Sequence, residues 1–164
     1  MKTFKLHLKK LLAYSGIIEN EVTKANYHFK GNFYSTHTEL LNIIKNGSRV
    51  LDIGCYDSSV AEMLMNKKNC IVDGIDEKKI SNNLKLNKFF EHNLNKGPLE
   101  LGIDYSNYDY IIMLDVIEHL DNPENFIKKL KILLENNNNI QLIFSTPNIG
   151  TLYFLFAVSA ISSI

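Results

Sequence analysis

Nearly continuous apolar runs alternate with amphipathic stretches along this chain. The runs RVLDIG (49–54), CIVDGID (70–76) and YIIMLDV (110–116) are the strongest, with KFFEHNL (88–94) and IQLIFST (140–146) behind them. Runs with so few polar positions suit strands covered on both faces, as in a parallel sheet. Helical spacing fills the gaps. THTELLNIIKNG reads as a helix closed by Gly47, and SSVAEMLMNKK places Val60, Ala61, Leu64 and Met65 on one side. EKKISNNLKLN reads as a further helix after the second run. NPENFIKKLKILLE has Asn122 as its N-cap, Pro123 in the first turn and an apolar stripe of Phe126, Leu130, Leu133 and Leu134. Strands alternating with helices predict an open α/β sheet with right-handed crossovers. The asparagine tract 136–139 predicts a tight turn. The last segment, TLYFLFAVSAISSI, is shorter than the roughly 20 residues a bilayer span needs and reads as a buried helix.

Composition changes this picture little. The 164 residues are 45% hydrophobic and 22% charged, as expected for one globular domain. Basic and acidic residues balance at 18 each, which gives no case for nucleic-acid binding. Two cysteines, Cys55 and Cys70, are too few for a disulfide framework or a zinc cluster and point to a reducing, cytoplasmic setting. The basic and apolar start of the chain lacks the long apolar core and cleavage site of a signal peptide. Phe4, Leu8, Leu11 and Leu12 suggest instead a short amphipathic helix, and the aromatic stretch 27–34 a lid or a packed loop.

In open α/β sheets ligands bind beyond the carboxyl ends of the strands, and the polar residues of this chain gather there. The first strand ends Asp52-Ile53-Gly54, the second Gly74-Ile75-Asp76, and the third near Glu91, His92 and Asn93. The fourth ends at Leu114 and Asp115, with Glu118 and His119 just beyond, and the fifth at STPN, 145–148. Asp76 follows Gly54 by about the 20 residues expected of an acid that grips ribose hydroxyls. Asp52 would repel a pyrophosphate and favour a ligand bearing ammonium or sulfonium. The start of the helix near Ser58 could receive a carboxylate. A nucleoside joined to an amino-acid zwitterion meets all three demands.

VLDIGC, GID, YDYIIMLDVIEHLDNPENFIKKLKILL and FSTPN together resemble the class I S-adenosylmethionine-dependent methyltransferases, over about residues 35–150. The likeness is greatest to the subgroup acting on small molecules, quinone precursors and sugars. It implies a Rossmann-like three-layer α/β fold with a mostly parallel sheet ordered 3-2-1-4-5, here lacking the usual final two strands. Residues 1–34 would be a helical or loop extension and 35–164 the domain. It implies S-adenosyl-L-methionine as cofactor, with Asp52, Gly54 and Cys55 around the methionine moiety, Asp76 on the ribose, Asn93 near the adenine, and Leu114 and Asp115 lining the site. The family loop commonly reads D-x-G-x-G-x-G, whereas Tyr56 and Ser58 stand at its second and third glycines.

The expected activity is methyl transfer to a small-molecule or glycan acceptor, with no metal, His119 as the candidate general base, and Cys55 a buried filler rather than a nucleophile. No spacing supports a metal site on Glu118, His119 and His92. A rival reading is a truncated, non-catalytic methyltransferase-like scaffold. Loss of the last strands would leave the fifth as an open edge, and the C-terminal apolar segment would be a homodimer surface. A nicotinamide oxidoreductase is disfavoured by Asp52 and by the absence of G-x-G-x-x-G.

Overall fold

The computed structural model describes residues 36–78, 86–96, 102–135, 137, 139–146 and, as backbone only, 154–159. The N-terminal helix, the aromatic stretch 27–34, the boundary at 34/35, most of the helix expected over 77–87 and half of the asparagine turn lie outside the described residues. The elements run α1 (Thr36–Ile43), β1 (Arg49–Ile53), α2 (Ser59–Lys68), β2 (Ile71–Asp76), β3 (Lys88–Glu91), β4 (Tyr110–Leu114), α3 (Pro123–Leu134), β5 (Gln141–Thr146) and β6 (Phe154–Ser159). Short 3-10 turns follow β3 (Leu94–Lys96), precede β4 (Tyr105–Asn107) and follow β4 (Ile117–His119).

All of these strands join one sheet in the order β3-β2-β1-β4-β5-β6. The first five are parallel, in the order 3-2-1-4-5 expected from the sequence. A sixth strand lies beyond those five: β6 pairs antiparallel with β5, Ser145 opposite Leu155. The helix expected for the C-terminal segment is therefore corrected over 154–159, and so is the open edge expected at β5. A short apolar run cannot be told from a buried helix by periodicity alone. Its Phe and Val residues favour the extended backbone.

Alternate residues of the strands feed two cores, one on each face. Leu51, Ile53, Ile75, Ile111 and Met113 pack against Phe126, Ile127, Leu130 and Leu134 of α3. Val50, Val72, Ile112 and Ile143 pack on the other face against Leu40 and Ile44, in and just after α1, and against Ala61 and Leu64 of α2. The α3 N-cap forms as the sequence indicates, with the Asn125 N–H donating to Asn122 Oδ1 at 3.0 Å. Its buried stripe includes Ile127, while Leu133 is only partly covered.

The amino-terminal edge of the sheet is locked by a polar cluster around Asp73, which is buried in β2. The Tyr108 hydroxyl donates to its Oδ2 at 2.7 Å and the Asn87 amide to its Oδ1 at 2.7 Å. The Arg49 guanidinium lies 3.8 Å from Oδ2 and 5.9 Å from the centre of the Tyr108 ring. Burial, reinforced by the hydrogen bond to Asp73, holds the Tyr108 phenol well above its ordinary pKa, so it remains a donor. Tyr108→Phe would leave a buried carboxylate oxygen short of its best partner. It is expected to cost about 2 kcal/mol and lower the melting temperature by ~4–8 °C, read by thermal circular dichroism.

Candidate functional site

Strand order reverses between β1 and β4, and the parallel strands all end on the same side of that crevice. A cavity of about 360 Å³ opens there, within the usual range for small-molecule sites. Asp52, Gly54 and Cys55 line it from the end of β1, Asp76 from β2, and His92 and Asn93 from beyond β3. Leu114, Asp115 and His119 line it from the end of β4, and Ser145 from β5. The residues expected to hold the cofactor, and His119, thus line one cavity, whereas Ser58 and Glu118 do not. The structure adds Thr36 and His37 from the start of α1, together with Tyr56, Asp57, Glu77 and Val116. Asp57 and Glu77 sit beside motif residues and were legible as neighbours; Thr36 and His37 carry no motif signal.

The loop after β1 settles what Tyr56 and Ser58 do at the glycine positions. Gly54, Tyr56 and Ser58 all have left-handed backbones, with φ of +79°, +42° and +62°. The alternation that glycines would adopt freely is thus kept by side-chain-bearing residues, at a cost of about 1–2 kcal/mol each. Hydrogen bonds hold it in place. The Gly54 N–H donates to Ile75 O at 2.7 Å, the Tyr56 N–H to Asp76 Oδ2 at 2.8 Å, and the Ser58 N–H to Cys55 O at 2.8 Å. Gly54 is needed twice over, because a Cβ there would also run into the Val116 side chain. Tyr56 is half exposed, whereas Ser58 is buried.

Three carboxylates meet at this corner. Asp52 is only 3% exposed, and its Oδ2 is buried with no hydrogen-bond partner among the described residues. Burial first, then the charges of Asp76 and Asp57, push its pKa up to about 7. Asp76 accepts from Tyr56 through Oδ2 and from the Glu77 N–H through Oδ1 at 2.7 Å. Asp57 accepts from the Ser59 N–H at 3.0 Å. The start of α2, expected to be open to a ligand carboxylate, therefore already carries an acid. Cys55 is buried, and burial followed by Asp52 drives its thiol far from ionisation, in keeping with a filler rather than a nucleophile.

On the other side of the crevice Asp115 is also left-handed, with φ +55°. Ser145 holds it there: its Oγ donates to Asp115 Oδ1 at 2.9 Å, and the Asp115 N–H donates to Ser145 O at 3.2 Å. Asn93 Oδ1 accepts from the Asn95 N–H at 2.9 Å, and Asn95 Oδ1 accepts from the Asp121 N–H at 2.9 Å, tying the far wall to the approach of α3. His119 stands exposed at the rim, while its neighbour Glu118 does not line the cavity. Both Glu118 carboxylate oxygens are buried with no partner of good geometry among the described residues; burial, then Asp115, raises its pKa to about 7, against a weak pull from its own backbone N–H. Among the described residues no group of three or more His, Cys, Asp or Glu side chains is placed to hold a metal ion. No described helix is long and apolar enough to cross a membrane.

The fold and site define a nucleoside-binding α/β domain of the methyltransferase type. Residues 27–153 match the model of the family described as "Methyltransferase domain", and the chain belongs to that family. It is 28% identical over 117 residues to the ubiquinone biosynthesis O-methyltransferase of Coxiella burnetii, an alignment covering 68% of this chain and 49% of that protein. It is 36% identical over 93 residues to the "Probable (S)-tetrahydroprotoberberine N-methyltransferase 2" of Papaver bracteatum, covering 53% of this chain and 26% of that one. The chain thus spans half or less of these curated relatives. Among solved structures, a TehB-like SAM-dependent methyltransferase from Corynebacterium glutamicum superposes with a TM-score of 0.54 at 14% identity, covering 93% of this chain and 75% of that one. S-adenosylmethionine is the methyl donor that membership of this family implies.

Two outcomes follow from the loop and its acids. Ser58 carries both a strained backbone and a buried hydroxyl with no partner of good geometry, the nearby Cys55 thiol being a weak one. Ser58→Gly removes both and adds back about 0.5–1 kcal/mol of glycine entropy. A net gain of about 1 kcal/mol is expected, seen as a melting temperature ~2–4 °C higher. The raised pKa of Asp52 means the folded state keeps a proton that the unfolded chain releases above its ordinary pKa near 4. Stability therefore falls as pH rises from about 4 to about 7. Asp52→Asn is expected to raise the ligand-free melting temperature at pH 8 by ~4–8 °C, roughly 2 kcal/mol, and by little at pH 5, as calorimetric scans at both values would show.

Proposed function

We propose that this chain is the cofactor-binding domain of an S-adenosylmethionine-dependent methyltransferase acting on a small-molecule acceptor. The observation that carries the reading is the buried Asp52 carboxylate, whose Oδ2 has no hydrogen-bond partner among the described residues, in a cavity that Asp76 and Asp57 also line. An orphaned buried acid is costly unless a cation or a proton completes it. A pyrophosphate-bearing cofactor fits this corner poorly, because three carboxylates converge on it. A nucleoside with a cationic amino-acid arm fits well.

When bound, S-adenosylmethionine supplies a methyl group on a positively charged sulfur that becomes neutral on transfer. Asp52 would face the positive charge of the methionine arm, releasing to solvent any proton it holds. Each Asp76 oxygen already accepts one backbone hydrogen bond and keeps a lone pair for a ribose hydroxyl. Asn93, whose amide donates to Glu77 Oε1 at 3.3 Å and accepts from the Asn95 N–H, would stand on the adenine side, while Leu114 and Val116 would provide apolar wall and exclude water. Positioning in a dry site is the main contribution such a protein makes to a direct displacement. His119, at the rim, takes the proton when the acceptor is a hydroxyl. The small-molecule acceptor draws support from the O- and N-methyltransferase relatives. The complete strand-end constellation disfavours a purely structural module.

Isothermal titration with S-adenosylmethionine tests the reading. Measurable binding is expected in the wild type, with at least a tenfold loss in Asp76→Ala, equivalent to about 1.4 kcal/mol. Absence of heat at millimolar ligand from a protein shown folded by circular dichroism would overturn it.

A further inference from the structure

We infer that the Tyr56 side chain is itself part of the cofactor site, an aromatic wall on its open side. The inference rests on the S-adenosylmethionine reading above and assigns a contact at a position the family loop commonly leaves as glycine. Tyr56 holds a backbone, φ +42°, that a residue with a Cβ adopts at a cost. That strain cannot relax, because the Tyr56 N–H is fixed to Asp76 and the flanking Gly54 and Ser58 N–H groups are fixed to Ile75 and Cys55.

Core packing does not account for the residue. Its side chain is 52% exposed, whereas the other loop residue in this conformation, Ser58, is 2% exposed. Only Tyr56 of that pair lines the cavity, in company with Asp57 and Asp76. A half-exposed aromatic residue on the wall of a cavity is placed to meet what enters it. An aromatic ring in a cavity also lined by acids suits a ligand that is cationic in one part and apolar in another. The ring thereby offers a cationic arm an attractive surface that a glycine loop lacks.

Calorimetric titration of S-adenosylmethionine into wild type, Tyr56→Phe, Tyr56→Ala, Tyr56→Gly and Ser58→Gly separates ring from strain, with ligand-free melting curves for each. Tyr56→Phe and Ser58→Gly should bind within about twofold of wild type. Tyr56→Ala and Tyr56→Gly should bind ~5- to 10-fold more weakly, the range of a partly desolvated cation–π contact. The Gly variant should nevertheless melt above wild type and the Ala variant should not, so that weakened binding cannot be ascribed to a weakened fold. Equal or tighter binding by both the Ala and Gly variants would overturn the inference alone and make the ring an obstruction. A wild type and Tyr56→Phe that both fail to bind would overturn the cofactor reading and this inference with it.

Discussion

Three carboxylates converge where β1 and β2 end, at one corner of the cavity, and much of the site's shape follows from how each is handled. Asp57 spends its charge on the first turn of α2, and Asp76 spends its charge on the backbones of Tyr56 and Glu77. Those bonds fix the left-handed loop that brings Gly54 under Val116. Asp52 has no such outlet, and the charges of the other two raise the cost of ionising it. The fold therefore carries an unmet electrostatic demand at its centre, sustained by the two apolar cores that hold β1 in place.

Two acids on neighbouring interior strands show how the same functional group can be structural or chemical. Asp73 and Asp52 are both nearly inaccessible acids on adjacent strands. Asp73 is met by a phenol, an amide and a guanidinium, and a buried acid so fully met stabilises its surroundings. Asp52 is left short of a partner next to open space. Burial alone would not have told them apart; the count of donors around each does.

Much of this was legible in the sequence because it rests on periodicity and on position relative to strand ends. Apolar runs located the first five strands, and their order followed from the resemblance those runs carry. Asp52, Asp76, Asn93, Asp115 and His119 could be nominated because polar residues rarely end buried strands without reason. The loop conformation was not legible. Glycine's preference for positive φ is statistical, so its replacement by Tyr56 and Ser58 signals doubt without saying whether the turn is lost or kept under strain. Nor was β6, since Phe154–Ser159 has an apolar pattern that both helix and strand accept. The partners of Asp73 come from separate segments, and only the folded register unites them.

Asp115 takes its unusual backbone from Ser145, which belongs to the neighbouring strand. The floor of the cavity is therefore a joint product of β4 and β5 rather than a property of either. Such a joint limits how the domain can be recombined. A crossover between β4 and β5 would import a different fifth strand, and with it whatever residue faces Asp115. Unless that residue also donates a hydroxyl at this height, the floor of the cavity would shift. The two strands are in this sense inherited together.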